Sequence, residues 1–238
     1  MRIKNIYIII LLFLFLFHCS KSQVEMARDK ENFAKLTTQG DILYNDSDYV
    51  SALPYFLKAE KIAPKDGLLL YKIAFCYDKG EKDLVNAKKY YERSLKFLKT
   101  NDHISEMAGA YFNLGVIAQR KDNFEEKYNH FAAAYSLLSK IEEMGKASGI
   151  DFFRLGYYAM DSKQYDLSIK YFKKAIHALS VENPNHFYHA GAYFNIGKIY
   201  WDNNDIKQAL SYWKKALDLE PDNAMYKEWY DKALLEQD

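Results

Sequence analysis

The hexapeptide AYFNLG at 110–115 returns as AYFNIG at 192–197, and DFFRLG at 151–156 stands midway, so Gly115, Gly156 and Gly197 follow one another at intervals of 41 residues. A fixed period of this size is the mark of equivalent units that stack, each burying an apolar face that it cannot hide alone. Upstream, Gly40 and Ala74 take the same place, and the successive gaps are 34, 41, 41 and 41. Counting forward from Gly40, offsets of 12, 16, 19 and 24 reach Ala52, Phe56, Ala59 and Pro64, and from Gly197 they reach Ala209, Trp213, Ala216 and Pro221. The inner units follow with Lys127, Phe131 and Ala134, then Ser168, Phe172 and Ala175. From Ala74, one additional residue in the turn brings Ala87, Tyr91 and Ser94 into line. Small residues at two of these places let helix axes approach, and the aromatic between them fills the space beside the contact. Polar turns separate the halves of each unit: Asn45 to Asp48, Lys121 to Asn123, Asp161 to Lys163 and Asp202 to Asp205. Asn, Asp and Ser serve there because they bond their own backbone and cap the helix that follows.

This spacing of small, aromatic and proline positions resembles the tetratricopeptide repeat (TPR), in phase five times between residues 33 and 222. The resemblance implies an all-α fold, a right-handed TPR superhelix (α-solenoid) of about five helix-turn-helix units. Those units fall near 33–66, 67–101, 108–141, 149–182 and 190–223. The run Ala224 to Leu235, within 223–238, reads as an amphipathic helix that caps the last apolar face. The seven residues by which a 41-residue unit exceeds a 34-residue one equal about two helical turns. They are expected in the connections near 98–104, 140–148 and 180–187, while Phe124 to Met144 reads as one long helix ended by Gly145. Such lengthened units resemble the TPR variants of cargo-binding adaptors such as kinesin light chains.

In a TPR stack the first helices line the concave wall. Taking Leu70, Tyr111, Phe152 and Tyr193 as core-facing, one residue on gives Tyr71, Phe112, Phe153 and Phe194. Two residues on, about 200° round the helix, come Lys72, Asn113, Arg154 and Asn195. In the lengthened TPR adaptors an asparagine at this place holds the backbone of an extended peptide. The resemblance therefore implies that Asn113 and Asn195 do so here, with Arg154 able to fork onto a carboxylate. Lys72, Phe112, Phe153 and Phe194 complete the expected partner-binding set. The alternative for the phenylalanines is packing between neighbouring helices, with binding elsewhere. Thr37, Thr38 and Asp41 stand where a chaperone-type carboxylate clamp would need basic or amide groups.

The chain opens with Arg2 and Lys4, followed by twelve apolar residues from Ile6 to Phe17 and then His18, Cys19 and Ser20. That order is that of a secretory leader, and twelve residues fall short of the roughly 17 to 25 that span a bilayer. Leu16 and Cys19 resemble the lipobox of bacterial lipoproteins, although Phe17 and His18 replace its small residues. The expected organisation is a signal peptide over 1–18, lipid attached at Cys19, a linker over 19–32, and the bacterial envelope as address. Ser20 in place of aspartate favours the outer membrane. A secreted chain cut near Ser20 or Ser22 and an inner-membrane anchor are the alternatives. Without the leader the chain holds 31 cations against 32 acids, which leaves no field of one sign for nucleic acid.

With Cys19 lipidated, Cys76 has no thiol partner and reads as a small packed side chain. No nucleophile elbow, phosphate loop or zinc-protease motif is present, and the expectation is a non-enzymatic chain without cofactor or metal. His186 and His189 share a helix face but lack the further ligands that a structural zinc needs. The functional expectation is a tethered scaffold that binds a protein or an extended peptide. Its alternative is a structural envelope protein that self-associates into a homo-oligomer.

Overall fold

The computed structural model describes residues 2–99 and 102–236, with side chains described from Gln23 onward. The leader expected over 1–18 and Cys19, the expected site of lipid attachment, therefore lie outside the described side chains. Among the described residues there are eleven α-helices, one π-helical turn and no strand. From Gln23 onward no helix is long and apolar enough to cross a membrane.

The chain divides into two compact units, Met1–Phe97 and Leu98–Asp238. The first holds α1 (Arg2–Asn45), α2 (Tyr49–Glu60), α3 (Gly67–Phe75), the π-helical turn (Cys76–Glu81) and α4 (Leu84–Leu95). The second holds α5 (Ile104–Gln119), α6 (Phe124–Glu143), α7 (Gly149–Asp161), α8 (Tyr165–Glu182), α9 (Phe187–Asp202), α10 (Ile206–Leu219) and α11 (Ala224–Leu235).

Each helix pair closes through the same turn. One residue adopts the left-handed conformation, at Ser47, Lys82, Asp122, Lys163 and Asn204, with φ between 53° and 63°. The next residue starts the second helix. Asp48, Asp83, Asn123 and Asp205 each accept a backbone N–H from the first turn of the helix they precede. Counted from the small anchor, the left-handed residue comes seven places on in four pairs and eight places on in the second. The π-helical turn Cys76–Glu81 absorbs that additional residue, since an i→i+5 loop takes up one residue without rotating the helices on either side.

Four anchors are glycine because an aromatic ring lies against their backbone. A Cβ on Gly40 or Gly115 would meet Phe56 or Phe131 at 2.4 Å, on Gly156 would meet Phe172 at 2.8 Å, and on Gly197 would meet Trp213 at 2.4 Å. All four rings are essentially inaccessible to solvent. Gly115→Ala is accordingly expected to destabilise the C-terminal unit by about 1–3 kcal/mol through overpacking. Thermal melts of the two proteins followed by circular dichroism check this.

The small residue at the head of each second helix is Ala52, Ala87, Ser168 or Ala209, all fully buried. Lys127 takes that place in the third pair. Its stem is buried and its ammonium reaches Asp161 at the end of α7, 3.0 Å away, after passing over the Tyr128 ring at 4.4 Å.

The seven additional residues do not all go into connections. α6 runs for 20 residues and α8 for 18, against 12 in α2 and α4, so much of the excess lengthens the second helices. α6 stops where Gly145 turns left-handed at φ 67°, with the Lys146 N–H donating to the Ile141 carbonyl. Cys76 is fully buried, and burial pushes its thiol up to about 12, a chemically quiet packed residue.

Candidate partner-binding surface

The first helices of the C-terminal unit are α5, α7 and α9, and each carries the Phe-Asn/Arg dipeptide singled out by the repeat. The three phenylalanines occupy equivalent wedges. Phe112 stacks on Phe131 of its own pair at 5.6 Å and meets Tyr157 of α7 edge-on at 5.4 Å. Phe153 lies 5.5 Å from Phe172 and stacks on Tyr188 of α9 at 4.4 Å. Phe194 lies 6.1 Å from Trp213 and stacks on Tyr226 of α11 at 4.7 Å. Each ring thus fills the seam between one pair and the next, the arrangement aromatic pairs favour when buried.

The polar residues beside them do not face solvent as the 200° step implies. Asn113, Arg154 and Asn195 are 1%, 4% and 9% exposed. In the C-terminal unit α7 packs not only on α8 but also on α5, α6 and α9, so the side away from its own partner is covered as well. An outward direction for these residues is corrected on this ground.

Arg154 belongs to a buried polar knot. Its Nη1 donates to Asp151 Oδ1 at 3.2 Å and to the Ser105 carbonyl at 3.4 Å. The Ser105 hydroxyl donates to the same Asp151 oxygen at 2.8 Å. The other oxygen accepts the Ser148 N–H at 3.1 Å and hydroxyl at 2.8 Å. Ser148 also caps α7, closing a reciprocal capping box with Asp151. The spacing Ser148-x-x-Asp151 was the available signal for this, and repeat reasoning passed over it. What the repeat did not carry was Ser105, which ties the start of α5 into the same cluster.

The two histidines are each engaged locally. His186 Nδ1 accepts the Tyr188 N–H at 3.2 Å, and His189 Nδ1 lies 2.9 Å from the Pro184 carbonyl. Burial, and then the nearby Arg154 charge, hold His186 down to about 4. A depressed histidine is neutral in the folded chain, whereas the unfolded chain takes up a proton near pH 6.5. Its contribution to stability is therefore complete above pH 6.5 and is lost as pH falls toward 4, by about 3 kcal/mol at most. Urea titrations between pH 7 and 4 are expected to show this loss, and His186→Gln is expected to flatten the slope.

Lys72 lies in the N-terminal unit. It pairs with Asp41 at 2.6 Å and keeps 22% of its side chain exposed. The pair lies at the rim of a cavity of about 190 Å³ walled by α1 and α3 and floored by Phe56 of α2. Phe33, Thr37, Leu68 and Leu69 supply its apolar lining and Asp66 a second carboxylate. Asp66 is already occupied in part, since it accepts the Leu69 N–H at 2.9 Å as the cap of α3.

Models of the tetratricopeptide repeat match residues 69–96, 152–177 and 190–223. The chain carries tetratricopeptide repeats. Its fold class is the all-α TPR superhelix, and the TPR pairs in these three segments are α3 with α4, α7 with α8, and α9 with α10. Among solved structures, a thermophilic TPR protein of Thermus thermophilus is similar with a TM-score of 0.60 at 20% identity, covering 85% of this chain and 99% of its own. The pilF protein of Pseudomonas aeruginosa is similar with a TM-score of 0.50 at 16% identity, covering 87% of this chain and 91% of its own. At such identities the likeness is one of fold. No curated protein matches the sequence. TPR pairs generally form scaffolds for protein–protein interaction rather than catalytic sites.

Proposed function

We propose that this TPR protein is a lipid-tethered interaction scaffold of the bacterial envelope that binds an extended segment of a partner protein. The observation that carries the binding half is the cavity at Lys72 and Asp41: an apolar floor, a rim that offers both charges, and a mouth open to solvent. A side chain entering there covers the half-buried Phe33 and Leu68 while its backbone bonds at the rim. In the C-terminal unit, Phe112, Phe153 and Phe194 fix the spacing of the helices, and Asn195 is buried beside them.

The tethering half rests on the leader and on Cys19. Two cations, a short apolar run and a cysteine give the order required for export and acylation, and Ser20 favours the outer membrane. Lengthened units of about 41 residues fit the adaptor variety of TPR. Mass spectrometry of the mature amino terminus tests the tether; a free Ser or Lys there rules it out. A partner captured by crosslinking in the envelope, titrated against Lys72→Ala and Asp41→Ala, tests the cavity. Unchanged affinity in the double variant overturns it.

Self-association is the second reading, favoured by α11. Leu234 and Leu235 stand 42% and 81% exposed at the end of that helix. Light scattering that rises with concentration in the absence of any partner would support it.

A further inference from the structure

Two of the second helices carry a charge clamp onto the preceding second helix, and the last one carries the same donors with the acceptor missing. In the N-terminal unit, Glu60 of α2 accepts the Tyr90 hydroxyl at 2.9 Å and pairs with Arg93 at 2.7 Å, both on α4. In the C-terminal unit, Glu142 of α6 accepts the Tyr171 hydroxyl at 2.7 Å and Lys174 Nζ at 2.9 Å, both on α8. Burial raises the Glu142 carboxyl, and these two donors outweigh it, so the group stays below the usual carboxylate range. The Lys174 ammonium also lies over Phe152 and Tyr171, at 4.9 and 5.5 Å.

Advancing by 41 residues carries Phe152, Tyr171 and Lys174 onto Tyr193, Tyr212 and Lys215. The local geometry travels with them: Lys215 lies over Tyr193 and Tyr212 at 5.8 and 5.2 Å. Glu142 advances onto Asn183. Pro184 follows it and disfavours helix at the residue before, so α8 ends at Glu182 and Asn183 is extended at φ −160°. Among the described residues no carboxylate pairs with Lys215 and no acceptor meets the Tyr212 hydroxyl. Lys215 is exposed and Tyr212 half-buried.

We infer that Tyr212 and Lys215 form a vacant carboxylate seat, filled in the complex by an Asp or Glu side chain of an acidic partner segment. The chain itself shows the bound form one step earlier, where Glu142 occupies the equivalent seat. A phenolic O–H and an ammonium held against aromatic rings suit a carboxylate, and the rings keep the ammonium in place before the acid arrives. The seat gives the chemistry of a partner for the scaffold proposed above and rests on that reading.

The test uses the full chain and two fluorescein-labelled peptides, one of alternating Glu and Ala, the other of alternating Gln and Ala. Fluorescence anisotropy at low salt is expected to detect binding of the Glu peptide only. Lys215→Ala should weaken it at least about tenfold and Tyr212→Phe about threefold, while Lys214→Ala, at the exposed neighbouring lysine, leaves it unchanged. Equal loss in Lys214→Ala and Lys215→Ala, equal binding of the two peptides, or binding of neither overturns the seat. If an envelope partner is still captured through Lys72 and Asp41 in that event, the scaffold reading survives without the seat.

Discussion

Asp151→Ala is expected to destabilise the C-terminal unit by about 3–5 kcal/mol, seen as a large drop in its urea midpoint with little change in slope. The substitution removes a carboxylate that is 1% exposed and that serves Arg154, the Ser105 hydroxyl and both the N–H and hydroxyl of Ser148. Arg154, itself 4% exposed, then keeps its charge without that carboxylate, and α7 loses its capping box. The size of the effect comes from the charge left behind rather than from the worth of the pair. Asp151→Ala combined with Arg154→Met is therefore expected to be more stable than Asp151→Ala alone, because an apolar side chain of similar reach removes the stranded guanidinium. A double variant no better than the single one would show that the knot acts through the cap and not through charge.

Trp213→Ala is expected to cost a similar amount, about 3–5 kcal/mol, by opening the largest buried side chain of the C-terminal unit. The indole fills the space over Gly197, lies 5.6 Å from Trp201 and 5.5 Å from Trp229, and donates from Nε1 to the Phe194 carbonyl at 3.0 Å. Truncation leaves both a cavity and a buried carbonyl without that donor. Trp213→Phe retains most of the volume and is expected to lose about 1–2 kcal/mol, chiefly the hydrogen bond. Calorimetry of the three proteins separates the two contributions.

The fold was readable because its contacts recur at fixed offsets. Gly40, Gly115, Gly156 and Gly197 each face an aromatic sixteen places on, and that pairing is both a sequence period and a steric necessity. Even the one irregularity, the added residue after Ala74, was visible as a count before it took shape as the π-helical turn. The surface was less readable. A helical wheel assigns one buried and one open side, and Asn113 and Arg154 fall on its open side. α7 is covered by α5, α6 and α9 as well as by its own partner, so Arg154 is interior, and Asn113 on α5 is buried likewise. Polar groups that join different pairs, such as Ser105 with Asp151 or Glu142 with Lys174, follow from which helices touch, a relation that offsets within one unit do not contain.

The π-helical turn also shows how the protein has absorbed a change of length. In a continuous α-helix one more residue swings everything after it by about 100°, which would carry Tyr90 and Tyr91 off their partners. Here the surplus is confined between Cys76 and Glu81, and α4 still delivers Tyr90 to Glu60. Of the five hairpins, this is the one already adapted to an odd residue, and because the turn packs on α2, where a Cβ on Gly80 would meet the Val50 nitrogen at 3.1 Å, a further insertion there is expected to disturb it.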